Sequence, residues 1–220
     1  MSCCAILVAA GSSRRMGFDK LAAPLAGLPV LRRSLEAFLA APSITTVVVV
    51  APQDRFDDLL GGTFLKPVIR VDGGDSRQHS VQNGLAAVPA GTILVAIHDG
   101  ARPLVSPEAI DRCVAVAREF GAAALARPVT ETLKRADADG LSRESVDRDL
   151  LWFMETPQCF QLPLILRAYE EVTRRNLTVT DEVSALEAIG TATRLVDGRH
   201  PNLKITHPSD LALAEALLRA

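Results

Sequence analysis

Positive charge gathers in loops of small residues along this chain. The apolar run Cys3-Cys4-Ala5-Ile6-Leu7-Val8-Ala9-Ala10 leads into Gly11-Ser12-Ser13-Arg14-Arg15-Met16-Gly17, and Lys20 follows three residues later. A buried strand that ends in small residues brings backbone N–H groups close to an anion. Two arginines and a lysine add fixed charge, so the loop has the chemistry of a phosphate cradle at the carboxyl end of a parallel strand. It lacks the Gly-Lys-Ser/Thr ending of a Walker loop. It also lacks the repeated glycines of a dinucleotide turn, because Ser12 and Ser13 stand where glycines would. The other reading is a solvated loop with surface arginines.

Two further loops have the same character. Asp72-Gly73-Gly74-Asp75-Ser76-Arg77-Gln78-His79-Ser80 follows an apolar run and opens a helix. Asp75 or Ser76 suits the cap of that helix, while Ser80 and the nearby backbone suit a base or ribose. In Ile97-His98-Asp99-Gly100-Ala101-Arg102-Pro103, Asp99 ends a strand. There it could hold Mg²⁺ or a ribose hydroxyl, or simply form a turn paired with Arg102. The guanidinium of Arg102 suits a second phosphate.

Thr132, Arg148, Thr180, Asp181 and Lys204 carry weaker signals. Asp181 reads equally as a helix cap, and Arg148 lies among alternating charges. Lys204 is an unusual lysine in an apolar stretch. No Ser-His-Asp set and no pair of catalytic carboxylates stands out. A nucleophile that is already an anion, such as a phosphate, needs no general base; it needs positive charge and alignment.

These loops must be held by alternating strands and helices. Apolar runs predict strands at 3–9, 45–51, 68–72, 92–98 and 122–127, with a short one at 193–197 and another at 202–205. Several are continuously apolar, the pattern of strands covered on both faces in a mostly parallel sheet. Helices are expected at 29–41, 53–60, 77–88, 107–120, 162–175, 181–189 and 208–219. That of 107–120 has Ser106 as cap, Pro107 in its first turn and Gly121 after its end. The alternation predicts an α/β, Rossmann-like, mostly parallel twisted sheet flanked by helices in one domain. The pattern breaks at 129–155, which reads as a projecting two-stranded β-arm. A lone hairpin is marginal in water, so the arm needs a surface to pack on, either a second subunit or its own domain.

With 24 basic and 26 acidic residues the net charge is −2, and aromatics are 4 %. Neither a basic excess nor a base-stacking platform is present, which disfavours nucleic acid as partner. No apolar run is long enough for a membrane span, and the N-terminus does not read as a signal peptide. Cys3, Cys4, Cys113 and Cys159 have no zinc-site spacing and read as core thiols, so a cytoplasmic location is the expectation.

The motifs together resemble a known family. Leu7-Val8-Ala9-Ala10-Gly11, Arg15-Met16-Gly17 and Lys20 are similar to the signature of nucleotidyltransferases that join a sugar or polyol phosphate to a nucleoside triphosphate. Gly73-Gly74-Asp75-Ser76-Arg77 with Ser80-Val81 resembles the cytidine loop of the 2-C-methyl-D-erythritol 4-phosphate cytidylyltransferases. So do His98-Asp99-Gly100-Ala101-Arg102-Pro103, Val146-Asp147-Arg148, Thr156-Pro157-Gln158, Thr180-Asp181-Glu182 and Asn202-Leu203-Lys204-Ile205-Thr206. The blocks run in order over nearly the whole chain.

The resemblance implies transfer of CMP from CTP to methylerythritol phosphate, with Mg²⁺ and release of pyrophosphate, in non-mevalonate isoprenoid biosynthesis. It also implies a homodimer interlocked through the arm. By position, Arg15 and Lys20 would stabilise the pentavalent α-phosphorus. Ala10, Gly11, Ser12, Ser13, Gly74, Asp75, Ser80, Asp99 and Gly100 would form the nucleotide site, Asp99 facing the metal or the nucleotide. Arg102, Thr132, Arg148, Thr180 and Lys204 would hold the acceptor and aim its oxygen, Arg148 and Lys204 counting with Arg15 and Lys20 as catalytic. Thr132 and Arg148, on the arm, would act in the partner's site. The chain departs from the family pattern at Phe18-Asp19-Lys20-Leu21, where Pro-Lys-Gln is common, at Ser13, where glycine is common, and at Gly100, where alanine is common. The alternative is a ribitol 5-phosphate cytidylyltransferase, which shares much of the pattern, or another sugar-phosphate nucleotidyltransferase. A nucleotide sensor without catalysis and a dinucleotide oxidoreductase fit less well.

Overall fold

The computed structural model describes residues 2–11 and 17–219. The chain runs β1 (Cys3–Val8), β2 (Pro24–Leu25), β3 (Leu28–Pro29), α1 (Val30–Ala40), β4 (Thr46–Val50), α2 (Gln53–Leu60), β5 (Val68–Val71), α3 (Arg77–Ala86), β6 (Leu94–Asp99) and α4 (Pro107–Phe120). It continues through β7 (Ala122–Pro128), β8 (Leu133–Ala136), β9 (Ser142–Val146), β10 (Trp152–Gln161), α5 (Leu162–Arg174), α6 (Glu182–Glu187), β11 (Arg194–Asp197) and α7 (Pro208–Arg219). The main sheet has seven strands in the order β11-β7-β10-β6-β1-β4-β5. Every pairing in it is parallel except those of β10.

Strand alternation divides the core into two layers. Cys3, Ala5 and Leu7 of β1 face one layer with Leu31, Leu35, Phe38 and Ile110 from α1 and α4. Cys4 and Ile6 face the other, with Val81 of α3, Ile165 and Val172 of α5 and Leu186 of α6. Both faces of β1 are therefore buried, which explains its unbroken apolar run. The four cysteines are buried and unpaired, and burial pushes the Cys4 thiol up to about 12.

Local chemistry sets the helix ends. Ser106 accepts the N–H of Ala109 at the start of α4, and Gly121 ends it at a φ of +90°. Ser76, not Asp75, caps α3 by accepting the N–H of His79 at 3.1 Å. Asp181 caps α6 through Ser184.

Three stretches differ from the sequence expectation. Trp152–Gln161 is a central strand, inserted antiparallel between β6 and β7. Pro157 with Glu155, Thr156 and Gln158 breaks its apolar run, and a proline argues against a central strand. Here the register breaks between Met154 and Gln158, and the Thr156–Pro157 bond is cis. Second, residues 152–155 therefore belong to the main sheet, and the separate hairpin is β8 with β9. Third, residues 202–205 form no strand. Their backbone groups bond elsewhere: Ile205 N–H donates to Ala101 O at 2.8 Å, and Asn202 O and Ile205 O accept from Arg102 and Lys20, each at 2.7 Å.

Helix α3 lies close to β1 and β4 at Gly84, where an added Cβ would sit 2.5 Å from Ile6 Cγ2 and 3.0 Å from Val50 Cγ2. On helix propensity alone Gly84→Ala gains about 1 kcal/mol. The contact reverses the sign, because both neighbours are β-branched and cannot swing away, and overpacking costs about 1–3 kcal/mol. Urea unfolding of Gly84→Ala is expected to show a lowered midpoint; a raised one would refute the close approach.

Candidate active site

The site lies at the carboxyl ends of β1 and β6. His98 is fully buried and its ring packs against Phe38 with centroids 4.8 Å apart. Its Nδ1 lies 2.8 Å from Thr156 Oγ1 and its Nε2 lies 3.2 Å from Arg102 O. A carbonyl can only accept, so the pattern assigns the proton to Nε2 and makes Nδ1 the acceptor of the Thr156 hydroxyl. Thr156 Oγ1 in turn accepts the Asp99 N–H at 3.2 Å. A neutral imidazole thus fixes the backbone from which the Asp99 carboxylate projects. Burial, reinforced by the positive charge of Arg102, pushes His98 down to about 3 despite the nearby Asp99 carboxylate.

The Asp99 carboxylate is shared between two cations. Oδ1 accepts from Arg77 Nε at 3.1 Å and Oδ2 from Lys204 Nζ at 2.6 Å. Burial alone would raise this carboxyl, but Arg77, Lys204 and Arg102 hold it well below the usual carboxylate range. Arg77 is itself held by Glu182, at 2.7 and 3.0 Å to the two carboxylate oxygens. Glu182 is fully buried and also accepts the Tyr169 hydroxyl at 3.1 Å. Gln158 of β10 fixes the start of α6, accepting Glu182 N–H at 3.0 Å and donating to Asp181 at 2.9 Å.

Lys204 reaches Asp99 from the segment between β11 and α7. Asn202 Nδ2 donates to Thr156 O at 2.7 Å, and Ile205 N–H to Ala101 O at 2.8 Å. Lys20 Nζ donates to Ile205 O at 2.7 Å, so two residues far apart in sequence approach the same peptide. A cavity of about 650 Å³ opens alongside, walled in part by Arg102, Arg127, Glu155, Asn202 and Lys204.

The glycine loop after β5 closes the other side. Ser80 Oγ accepts Gly74 N–H at 3.1 Å and donates to Ser76 O at 2.9 Å, folding the loop onto α3. A Cβ on Gly73 would lie 2.2 Å from Ala10 Cβ, so the absence of a side chain there lets the loop touch the end of β1. Gly100 is also close to its surroundings, though less so, since a Cβ would lie 2.8 Å from Leu31 Cδ1 and 3.3 Å from Val8 O.

Of the residues singled out from the sequence, the structure brings Lys20, Asp99 and Lys204 into one linked cluster, with Ala10, Gly74 and Ser80 joined across the neighbouring loop contact. Gly11 and Asp75 are exposed at the rim. Ser12, Ser13 and Arg15 lie outside the described residues. Asp99 does not form its side-chain pair with Arg102. That guanidinium donates to Asn202 O at 2.7 Å and Met154 O at 3.3 Å, stitching β10 to the Lys204 segment. Thr132 and Arg148 are exposed on the arm, where Arg148 donates to Thr130 O. Thr180 is exposed just ahead of α6.

Arg77, Glu182, Thr156 and His98 had no role assigned from the sequence. One signal was available for Arg77: a cation in the first turn of a helix opposes the helix dipole and calls for a compensating carboxylate. Glu182 gave no such signal, since an acidic residue is ordinary in the first turn.

The His98 arrangement makes stability pH-dependent in a defined direction. The unfolded chain protonates His98 near its ordinary value of 6.5, whereas the folded chain resists until about pH 3. Stability contributed by the neutral ring is complete above pH 6.5 and falls with acidification, by up to about 1.4 kcal/mol per pH unit. Asp99 adds its own loss only below its ordinary 3.8, as its folded value is depressed. Urea midpoints measured between pH 7.5 and 5 are expected to fall, and His98→Gln should flatten that slope. An unaltered slope in the variant would remove His98 from the effect.

Comparisons with known proteins converge on one family. The family model described as 2-C-methyl-D-erythritol 4-phosphate cytidylyltransferase matches residues 3–220. A protein of that name from a Synechococcus species is 42 % identical over 222 residues, covering 97 % of this chain and 95 % of its own. The crystal structure of the 4-diphosphocytidyl-2C-methyl-D-erythritol synthase from Anaerococcus prevotii is similar at a TM-score of 0.86 and 29 % identity, over 99 % of this chain and 96 % of the other. That of 2-C-methyl-D-erythritol 4-phosphate cytidylyltransferase from Thermus thermophilus has a TM-score of 0.82 at 32 % identity, over 98 % of each chain. Sequence match over almost the full length, the same sheet and a cationic cluster at the strand ends agree: the chain belongs to the 2-C-methyl-D-erythritol 4-phosphate cytidylyltransferase family.

Proposed function

We propose that the protein transfers CMP from CTP to 2-C-methyl-D-erythritol 4-phosphate, giving 4-diphosphocytidyl-2-C-methyl-D-erythritol and pyrophosphate. A phosphate oxygen of the acceptor attacks the α-phosphorus of CTP. The bond from that phosphorus to the bridging oxygen breaks, and pyrophosphate leaves with the electron pair. The observation that carries this reading is the convergence of Lys20, Arg77 and Lys204 on the strand ends around Asp99.

The barrier to such a step is repulsion between two anions. One pair of like unit charges at 4 Å costs about 4 kcal/mol at an effective dielectric near 20, and several pairs meet here. Lys20 and Lys204 lower that cost and align attacker and leaving group, while Arg77 keeps Asp99 ionised. The 40 % exposure of the Lys204 side chain leaves it able to turn from Asp99 towards an incoming phosphate. Arg15 is assigned with Lys20 to the α-phosphate. Gly11, Gly74, Asp75, Ser80 and Gly100 are assigned to cytosine and ribose, and Arg102 and Thr180 to the acceptor side.

Asp99 is a suitable ligand for Mg²⁺. Among the described residues no group of three or more His, Cys, Asp or Glu side chains could hold a metal by itself. Both Asp99 oxygens are held by cations, so its Oδ2 would become a ligand once Lys204 turned away, for an ion that takes its other ligands from phosphates and water. When bound, that ion would neutralise triphosphate charge.

The arm supports a homodimer reading. Among its residues Leu150 is 92 % exposed and Leu141 55 %, and a second subunit is a surface that would cover them. Thr132 and Arg148 would then serve the partner's site. No helix among the described residues is long and apolar enough to cross a membrane. We place the reaction in the cytoplasm, in keeping with the unpaired core thiols.

Pyrophosphate release from CTP and Mg²⁺ with each acceptor in turn tests the assignment. Turnover is expected with methylerythritol phosphate, and preference for ribitol 5-phosphate would reassign the enzyme. Lys20→Ala and Lys204→Ala should each lose about 10²–10³ in kcat/KM with the fold intact. Mixing Arg148→Ala with Lys204→Ala should restore activity that neither has alone, since one intact site forms in each mixed dimer. No recovery on subunit exchange would place Arg148 in its own subunit's site or in none.

A further inference from the structure

Arg55 stands in the first turn of α2, yet its side chain turns back to the end of β1 and is only 14 % exposed. Nη1 donates to Ala9 O at 2.5 Å and Gly11 O at 3.2 Å, and Nε donates to Asp19 Oδ2 at 3.0 Å. The other oxygen of Asp19 accepts Leu21 N–H at 3.0 Å, enclosing Lys20 in a tight local turn. Ala9 is anchored to the sheet by its N–H to Val50 O at 2.9 Å. One guanidinium therefore ties the backbone that leaves β1 to the carboxylate beside Lys20.

We propose that Arg55 is a positioning residue for Lys20. It fixes the spacing from Gly11 to Asp19 and, through the Asp19–Leu21 turn, the direction in which the Lys20 side chain leaves the backbone. That direction carries Lys20 Nζ to within 2.7 Å of Ile205 O, one residue from Lys204. Two carbonyls and a carboxylate surround the guanidinium, and a planar fork of donors meets all three at once. A lysine at this position keeps the charge but not the fork. The inference rests on the assignment of Lys20 to the triphosphate, and Arg55 acts through Asp19 without touching substrate.

The test uses the enzyme with CTP and the acceptor, and Arg55→Lys is the deciding variant because it keeps the positive charge on a long unbranched stem but removes the fork of donors. Its thermal midpoint is expected to stay within a few degrees of the parent. Its kcat/KM for CTP should fall about 10- to 100-fold, the scale on which a small misplacement of a charged group acts, while the KM for the acceptor stays within about twofold. Asp19→Asn should reproduce the loss, and the double variant should be no worse than the poorer single one, as expected of two residues acting through one contact. In a Lys20→Ala background Arg55→Lys should have no further effect on kcat/KM for CTP. An unchanged kcat/KM in Arg55→Lys, or an additive loss in the Lys20→Ala background, overturns the proposal and leaves Arg55 an anchor of α2. Full turnover in Lys20→Ala alone overturns it too, and shows that the Lys20 assignment failed rather than the link from Arg55.

Discussion

A buried carboxylate must be paired, and the pairing of Asp99 organises the site. Charges alternate in a row from the interior outward: Glu182, Arg77, Asp99 and Lys204. The row balances itself before any ligand arrives, which is what allows ionised groups at such depth. Each member comes from a different part of the chain, so the row also locks α6, α3, β6 and the segment before α7 to one another. The inner pair is bidentate and anchored on the fully buried Glu182, whereas the outer cation is on a flexible stem at the surface. Fixed charge inside and movable charge outside suit a pocket that must accept phosphates and release them.

Neutral groups do equally specific work beside this row. His98, Thr156 and the Asp99 N–H form a chain in which every proton has one position. The imidazole orients backbone and is too deeply buried to shuttle protons. This accords with a reaction whose nucleophile arrives already charged.

Much of the molecule was legible in its sequence because the relevant signals are local. Continuous apolar runs mark strands covered on both faces, as in β1 and β4. Ser106, Pro107 and Gly121 bracket α4 within a single stretch of sequence. Lys204 was conspicuous as a lysine among apolar neighbours. What stayed hidden depends on distant pairing. Arg77 and Glu182 meet across 105 positions, and Arg55 and Asp19 across 36, and no spacing rule reaches that far. Strand β10 was hidden for a different reason: Thr156 and Gln158 in its middle serve the site, and together with Glu155 and Pro157 they erase the strand's hydrophobic signature.

The reversed direction of β10 also decides where the hairpin stands. Strand β7 ends, and β10 begins, on the rim that carries Asp99, as the pairings Pro128–Trp152 and Ile97–Gln158 require. The hairpin thus leaves the sheet on the site's rim, and it joins directly to the strand that contributes Thr156. A parallel strand in that slot would have needed a crossover to the opposite floor of the sheet. One inverted strand therefore plants an insertion at the doorstep of the chemistry while the masonry beneath it stays as it was.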